Sequence, residues 1–442
     1  MVKDLSQGKP SKVLWGFSLP LLGSIIFQQL YNIADSFVAG KFIGDNALAA
    51  VGNGYEVTLI YLAFAFGCNI GCSVVLSQLF GAKRYRDLKT AVSTNFIFSG
   101  ILCLSLMLLG FLFMKPLLHL INTPDSIMDD TVLYLNIYTG GLLFLFYYNI
   151  STGIFTALGD SKTPFIFLAV SSVTNIGADI LFVTAFKMGI SGVAWATFIC
   201  QGISCVLSVI VVFIRLKKIK CDKPKIFSVV LLKKIIKIAV PSILQQGFVS
   251  VGNIFIQSIV NSFGTSVIAG YAAAVKINNF AVTCFNTLGT AMSNYTAQNV
   301  GAGKLDRVKQ GYKAGIIMSG GIALGFTAVF VILRKQLIGL FMNSNTSNAL
   351  TVGMTFIIIV APFFAMIAIK IATDGLLRGA GAMQCFMIST FTDLLLRVTL
   401  AFVLSRFLGS TGIWLAWPVG WAVATIISLT FYFKGSWKKN KI

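Results

Sequence analysis

The sequence predicts an all-α membrane protein whose twelve transmembrane helices form two pseudo-symmetric six-helix lobes around a central cleft. Three observations carry that prediction. Of the 442 residues, 56% are hydrophobic and 11% charged, whereas a soluble domain is about a quarter charged. Twelve apolar runs follow one another, each long enough for a bilayer helix of about 20 residues. The second half also repeats motifs of the first at an offset of about 220 residues.

In order, the runs fall near 13–40, 46–77, 88–114, 130–156, 164–186 and 190–214, then near 235–261, 265–297, 310–333, 350–377, 384–405 and 411–433. Residues 1–214 make an N-terminal lobe, 215–234 a basic linker, and 235–442 a C-terminal lobe. Runs longer than about 25 residues fit tilted helices that extend past the lipid. Pro20, Pro241, Pro362 and Pro418 lie inside runs, where a membrane helix can bend around them. The polar start, residues 1–12, lacks a small-residue cleavage site, so the first run reads as a retained helix rather than a cleaved signal.

Lys and Arg number 35 against 14 Asp and Glu, a formal charge of +21. In a soluble protein that surplus would suggest nucleic acid; here it sorts by side of the membrane. Twenty-six basic residues fall on the side holding both termini, the linker and the loops at 83–89 and 304–313, and six on the other. The basic side is the cytoplasmic one. Both termini are therefore expected inside the cell, in a multi-pass plasma-membrane protein with an even number of spans and no nucleic-acid partner. The eight cysteines form no CxxC, and His119 is the single histidine, so neither a zinc site nor a disulfide frame is indicated. There is no phosphate loop, and Ala157-Leu158-Gly159-Asp160 departs from the GxGD of intramembrane aspartyl proteases. Without a catalytic constellation or a cofactor motif, the chain reads as a non-enzyme.

The repeat is carried by several matches in one order. Gln78-Leu79-Phe80-Gly81-Ala82 answers Gln298-Asn299-Val300-Gly301-Ala302, Gly192-Val193-Ala194-Trp195 answers Gly412-Ile413-Trp414-Leu415, and Pro20 answers Pro241. Six spans per half is an even number, so both halves keep one orientation. Parallel repeats of this kind are a transporter architecture, with a site in or between the halves and alternating access by rocking.

Ionisable groups inside spans are costly and point to function. Asp35 is the sharpest: Gln28, seven residues earlier, shares its helix face, and Asn32 flanks it. On the fifth span Asn175 and Asp179 are four apart on one face, and the sixth supplies Thr197. Asp35, Asp179 and Thr197 all fall within about 10 Å of the same outer rim at about 1.5 Å per residue. Such an oxygen-rich layer suits a hard cation such as Na⁺ or a carried proton; the alternative is that each acid pairs separately. Glu56 and Lys276 occupy equivalent repeat positions and are either an outer gate pair or two locally paired groups. Lys370, Asp374 and Arg378, like Asp393 and Arg397, follow i, i+4 ladders, read as structural pairing or as a second coupling site. Among the aromatics, Tyr147 or Tyr148 could line a cavity for flat organic cations.

With these residues on the page, the chain resembles the multidrug and toxic compound extrusion (MATE) family. The resemblance rests on Gln28-Gln29-Leu30-Tyr31-Asn32-Ile33-Ala34-Asp35, Gly44 with Ala47 to Gly52, Gly159-Asp160-Ser161-Lys162-Thr163-Pro164, Asn175-Ile176-Gly177-Ala178-Asp179 and Gly189 with Gly192 to Thr197. It implies two lobes about a V-shaped cleft, and export of cationic drugs in exchange for Na⁺ or H⁺. It further implies a first-lobe cation site at Asp35, Asn175, Asp179 and Thr197, with Gln28 lining the adjacent cavity. One branch of that family carries an acid on its seventh span; here Gln245 and Gln246 are the most polar residues of that span. The branch with first-lobe coupling, archaeal or DNA-damage-inducible, is the better analogy. The expected protein is thus a monomeric antiporter of amphipathic organic cations. A lipid-linked oligosaccharide flippase of the wider superfamily is the alternative, disfavoured by having only Lys276, Lys370 and Arg397 as intramembrane cations.

Overall fold

A chain immersed in lipid must satisfy its backbone hydrogen bonds within each segment, and helices do so. The computed structural model describes residues 3–341 and 347–438, so Lys439 and Lys441 of the basic tail lie outside the described residues. Among the described residues there are helices and turns and no strand. In the first half they are α1 (Pro10–Val38), α2 (Asp45–Gly81), α3 (Tyr85–Leu120), α4 (Asp125–Gly140), α5 (Leu142–Ala157), α6 (Lys162–Ile180) and α7 (Ile190–Lys217). In the second they are α8 (Val229–Asn261), α9 (Thr265–Gly301), α10 (Leu305–Ile332), α11 (Arg334–Gly339), α12 (Ser347–Val360), α13 (Phe364–Gly379), α14 (Met383–Leu408) and α15 (Ser410–Phe433). Among the described residues, eleven helices are long and apolar enough to cross a membrane, and twelve spans result when α4 and α5 count as one. Leu104, Leu108 and Leu112, at steps of four on α3, are 59–62% exposed, an apolar stripe suited to lipid.

Two spans are interrupted. The fourth bends by 49° between α4 and α5, at Gly140-Gly141, a pair that gives the helix little resistance to kinking. The tenth passes through a 3₁₀ turn, Ala361–Phe363, where Pro362 lacks an N–H and clashes with the preceding turn. The Thr327 hydroxyl on α10 donates to the Ala361 carbonyl at 2.7 Å, satisfying an acceptor at that break. Elsewhere, π-helical turns at Ala39–Ile43 and Leu181–Ala185 continue α1 and α6.

By packing, the chain forms two compact units, one of Met1–Asp4 with Leu19–Ile243 and the other of Leu5–Ser18 with Leu244–Ile442. Within the first, Gly67 and Gly71 of α2 lie directly against Ile235, Ala239 and Ile243 at the start of α8. The absent side chains let the two backbones approach, as in other small-residue membrane interfaces. Ser228 N donates to Thr94 and Lys225 N to Thr90, each at 3.0 Å, which ties the residues before α8 to α3.

Within the second unit, Gly375 and Gly379 of α13 press on the Gly289 and Ser293 carbonyls of α9. A dense aromatic core, including Tyr271, Phe356, Phe364, Trp414, Trp417 and Trp421, fills the space between α9, α12, α13 and α15. Leu5, fully buried, donates its N–H to Gln298 Oε1 at 2.8 Å, and Lys304 Nζ donates to Ser6 O at 2.9 Å.

The repeat also holds at the level of backbone angles. Positive φ recurs at Gly44 and Gly264, Lys83 and Gly303, Gly159 and Gly381, and Gly189 and Gly409. These are the turns where the left-handed region is required.

Candidate functional site

Asp35 lies in the last turn of α1 and Asp179 next to the end of α6, and each is followed within four residues by one of the π-helical turns. The two π turns lie against each other. A π turn re-aims the residues beside it and is common at functional positions. Here the pair brings the acid-bearing helix ends together. Asp179 is 0% exposed, Asn175 2%, Asp35 6% and Thr197 8%.

With the Asn175 amide oriented to satisfy its neighbours, its Nδ2 donates to Asp35 Oδ1 at 3.1 Å and to Asp179 Oδ2 at 3.2 Å, and its Oδ1 accepts from Thr197 N at 3.2 Å. Asp35 and Asp179 are within hydrogen-bonding reach of one another. The Tyr31 hydroxyl stands 3.1 Å from Thr197 Oγ1 and also reaches Asp35. Tyr134 of α4 stands within electrostatic range of both acids. One atom is left over: Asp179 Oδ1 is buried with no hydrogen-bond partner.

Chemically, this is a pair of carboxylates in a buried pocket with further oxygen ligands. Two such charges about 4 Å apart repel by about 4 kcal/mol at an effective dielectric of about 20. A proton or a small hard cation between them removes that penalty, and an unpartnered carboxylate oxygen is the natural ligand.

The structure thus brings Asp35, Asn175, Asp179 and Thr197 into one cluster. Gln28 and Asn32 are half-buried on the same helix, Asn32 donating to Gln29 Oε1 at 3.4 Å. Tyr31 and Tyr134 were not among the residues singled out in the sequence. Tyr31 is one helical turn from Asp35, a spacing that could have pointed to it; Tyr134 carries no such signal. Tyr147 packs edge-on against Phe96 with ring centroids 5.3 Å apart, and Tyr148 is near Thr152. Glu56 is exposed on α2 of the first unit; Lys276, exposed on α9 of the second, lies 5.6 Å from the Phe341 ring centroid.

The ladders of the second unit are only partly formed. Lys370 Nζ meets Asp374 Oδ2 at 2.8 Å, while Ser428 donates to Asp374 Oδ1 at 2.6 Å. Both oxygens being engaged, Arg378 turns instead over the Phe386 ring at 5.6 Å. Asp393 and Arg397 do not bond either: Arg397 lies over Trp417, 4.5 Å from its centroid. Among the described residues, no three of His, Cys, Asp and Glu gather as a metal cluster.

A protein-family model described as MatE matches residues 20–181 and again residues 241–403. The chain belongs to the MatE family. It is therefore a multi-pass membrane transporter of the multidrug and toxic compound extrusion (MATE) type, and its duplicated match falls on the two halves of the repeat. Among curated relatives, "Probable multidrug resistance protein YpnP" of Bacillus subtilis is 29% identical over 99% of this chain and 98% of its own. "Probable multidrug resistance protein NorM" of Thermotoga maritima is 21% identical over 98% and 94%. A solved MOP superfamily transporter from Pyrococcus furiosus superposes with a TM-score of 0.91 at 21% identity, covering 98% of this chain and 97% of that one. That likeness establishes a shared fold.

Proposed function

We propose that this MATE protein exports amphipathic organic cations in exchange for Na⁺ or H⁺, held in the first unit by Asp35, Asn175, Asp179 and Thr197. The observation that carries the reading is Asp179 Oδ1, a fully buried carboxylate oxygen with no partner, beside a second buried acid. An occupant supplying positive charge answers both features. Cation or proton occupancy favours one conformation and cargo another, and that difference in binding is the coupling. Gln28 and Asn32 belong to the same helix face and line the route of cargo, with Tyr147 and Tyr148 as further aromatic contacts. The protein works as a monomer in the plasma membrane with both termini in the cytoplasm, where its basic loops belong.

The names of relatives, which speak of multidrug resistance, favour export of drug-like compounds. The test is efflux from proteoliposomes with a Na⁺ gradient or a pH gradient imposed singly. One of them should drive export, and Asp35→Asn should abolish that drive while the protein stays folded and membrane-inserted. Export indifferent to both gradients, or unimpaired in Asp35→Asn, would overturn the reading.

A further inference from the structure

In the first unit, α2 and α3 are joined by a tight turn at residues 82–84. Lys83 has φ 57° there, in the left-handed region, and its counterpart in the repeat is Gly303 at φ 73°. A side chain strains that backbone where glycine does not. Packing gives no return for the strain, because Lys83 is exposed. The linker that follows α7 runs past this turn. Arg86 Nε donates to Lys223 O at 3.2 Å and Ser93 Oγ to Ile226 O at 2.6 Å, which pins the linker to α3. Between turn and linker lies an open recess of about 470 Å³, with Lys83, Arg84, Arg86 and Lys220 set against Asp87 and Asp222. Arg84 is paired with Asp87, donating from Nε at 2.8 Å. Arg86 bonds an uncharged carbonyl and keeps its charge. Four cations against two acids leave the recess a surplus of two.

The corresponding turn of the second unit engages its cations with groups of the chain itself. Lys304 Nζ donates to Ser6 O at 2.9 Å, Arg307 Nη2 to Gln7 O at 2.8 Å, and Lys309 pairs with Asp306 at 3.1 Å. Among the described residues, the Lys83 and Lys220 ammonium groups meet no acceptor of this kind. The outer surface of α7 sets the depth of the recess. Ile210, Phe213 and Ile214 are about half exposed, an apolar edge suited to lipid, and Phe213 stacks on Phe96 of α3 with centroids 6.0 Å apart. Lys217, Lys218 and Lys220 follow, all exposed. At about 1.5 Å per residue they lie about 5 to 9 Å past Ile214. That is the level of the headgroup layer, which extends about 5 to 8 Å beyond the hydrocarbon.

We propose that the recess between the α2–α3 turn and the linker binds the headgroup of an anionic phospholipid. Its phosphate oxygens accept from Lys83 and Lys220, and its acyl chains lie along Phe213 and Ile214. The bias of basic loops towards one side of a membrane sets orientation. It requires neither a lysine at a left-handed position nor a recess shaped by a pinned linker.

The experiment titrates the purified protein in neutral detergent with phosphatidylglycerol, phosphatidylcholine or soluble glycerol phosphate. Native mass spectrometry reads bound lipid, and melting temperature reads folding. Phosphatidylglycerol should bind and raise the melting temperature; the other two should do neither. Lys83→Gly combined with Lys220→Gln should weaken phosphatidylglycerol binding about thirtyfold, at about fivefold per lysine near an anionic surface. Its lipid-free melting temperature should not fall, because glycine suits the backbone at position 83. If that pair misfolds, Lys220→Gln alone decides: binding about fivefold weaker supports the proposal, and unchanged binding overturns it. Lys313→Gln with Lys434→Gln removes the same charge from exposed positions of the second unit and should leave binding as it was. Equal binding of phosphatidylcholine, full displacement of the lipid by glycerol phosphate, wild-type affinity in the Lys83 and Lys220 pair, or an equal loss in the second-unit control would each overturn the proposal. Binding is read without a gradient, so its failure leaves the antiport reading standing, and export indifferent to both gradients leaves this site standing.

Discussion

Asn175 is the residue on which the first-unit cluster turns, because its one amide serves Asp35, Asp179 and the Thr197 backbone together. Asn175→Leu keeps the branching at Cγ, with a larger volume, and removes the bridge. Leaving a buried polar group unsatisfied costs about 1–3 kcal/mol, so the purified variant should melt at a lower temperature and lose coupled efflux. An unchanged melting temperature would mean that the amide does not hold the acids. Asp160 illustrates a different use of a carboxylate. It accepts from Thr163 N at 3.1 Å and Thr163 Oγ1 at 2.8 Å, capping the start of α6, and lies 3.4 Å from Arg215. Asp160→Ala should cost about 1 kcal/mol of stability while the gradient dependence of efflux keeps its form, which paired melting and transport measurements would check.

Among elements, the contact of α13 with α9 is the one most sensitive to bulk. Gly379→Leu would drive a side chain into the Ser293 carbonyl, where backbone cannot yield cheaply. Overpacking of this kind typically costs about 1–3 kcal/mol, and thermal melting in detergent should report it. Gly321→Ala inside α10, with nothing within 4 Å, is the control and should leave the melting temperature unchanged or slightly raised. Elements also show what the sequence made legible. The spans could be read because lipid demands long apolar runs whatever their neighbours are. The bend between α4 and α5 could not, since glycines such as Gly140 and Gly141 are common inside membrane helices and do not by themselves place a kink. Asp35, Asn175, Asp179 and Thr197 were legible because a polar side chain in lipid stands out and helical spacing assigns its face. Tyr134 was not, because α4 reaches Asp35 only through tertiary packing, and nothing in its own spacing records that. The ladder of Asp393 and Arg397 misled for a related reason: i, i+4 spacing allows a pair, but the Trp417 ring competes for the guanidinium.

For the whole molecule, the distribution of basic residues makes a prediction about sidedness. Cys221 lies in the basic linker and is partly exposed, whereas Cys68, Cys72, Cys103, Cys200, Cys205 and Cys284 are buried. A membrane-impermeant maleimide should label Cys221 in inverted vesicles and spare it in intact cells; labelling from outside the cell would reverse the orientation. The packing of Leu5–Ser18 with the second unit bears on how the protein is made. Leu5 meets Gln298 across 293 residues of chain, and Ser6 meets Lys304. Translation proceeds at about 5–20 residues per second, so Leu5 leaves the ribosome about 15 to 60 seconds before Gln298 is synthesised. During that interval the apolar residues of Leu5–Ser18 must be sheltered by the insertion machinery or by lipid, so this segment is made long before it finds its place.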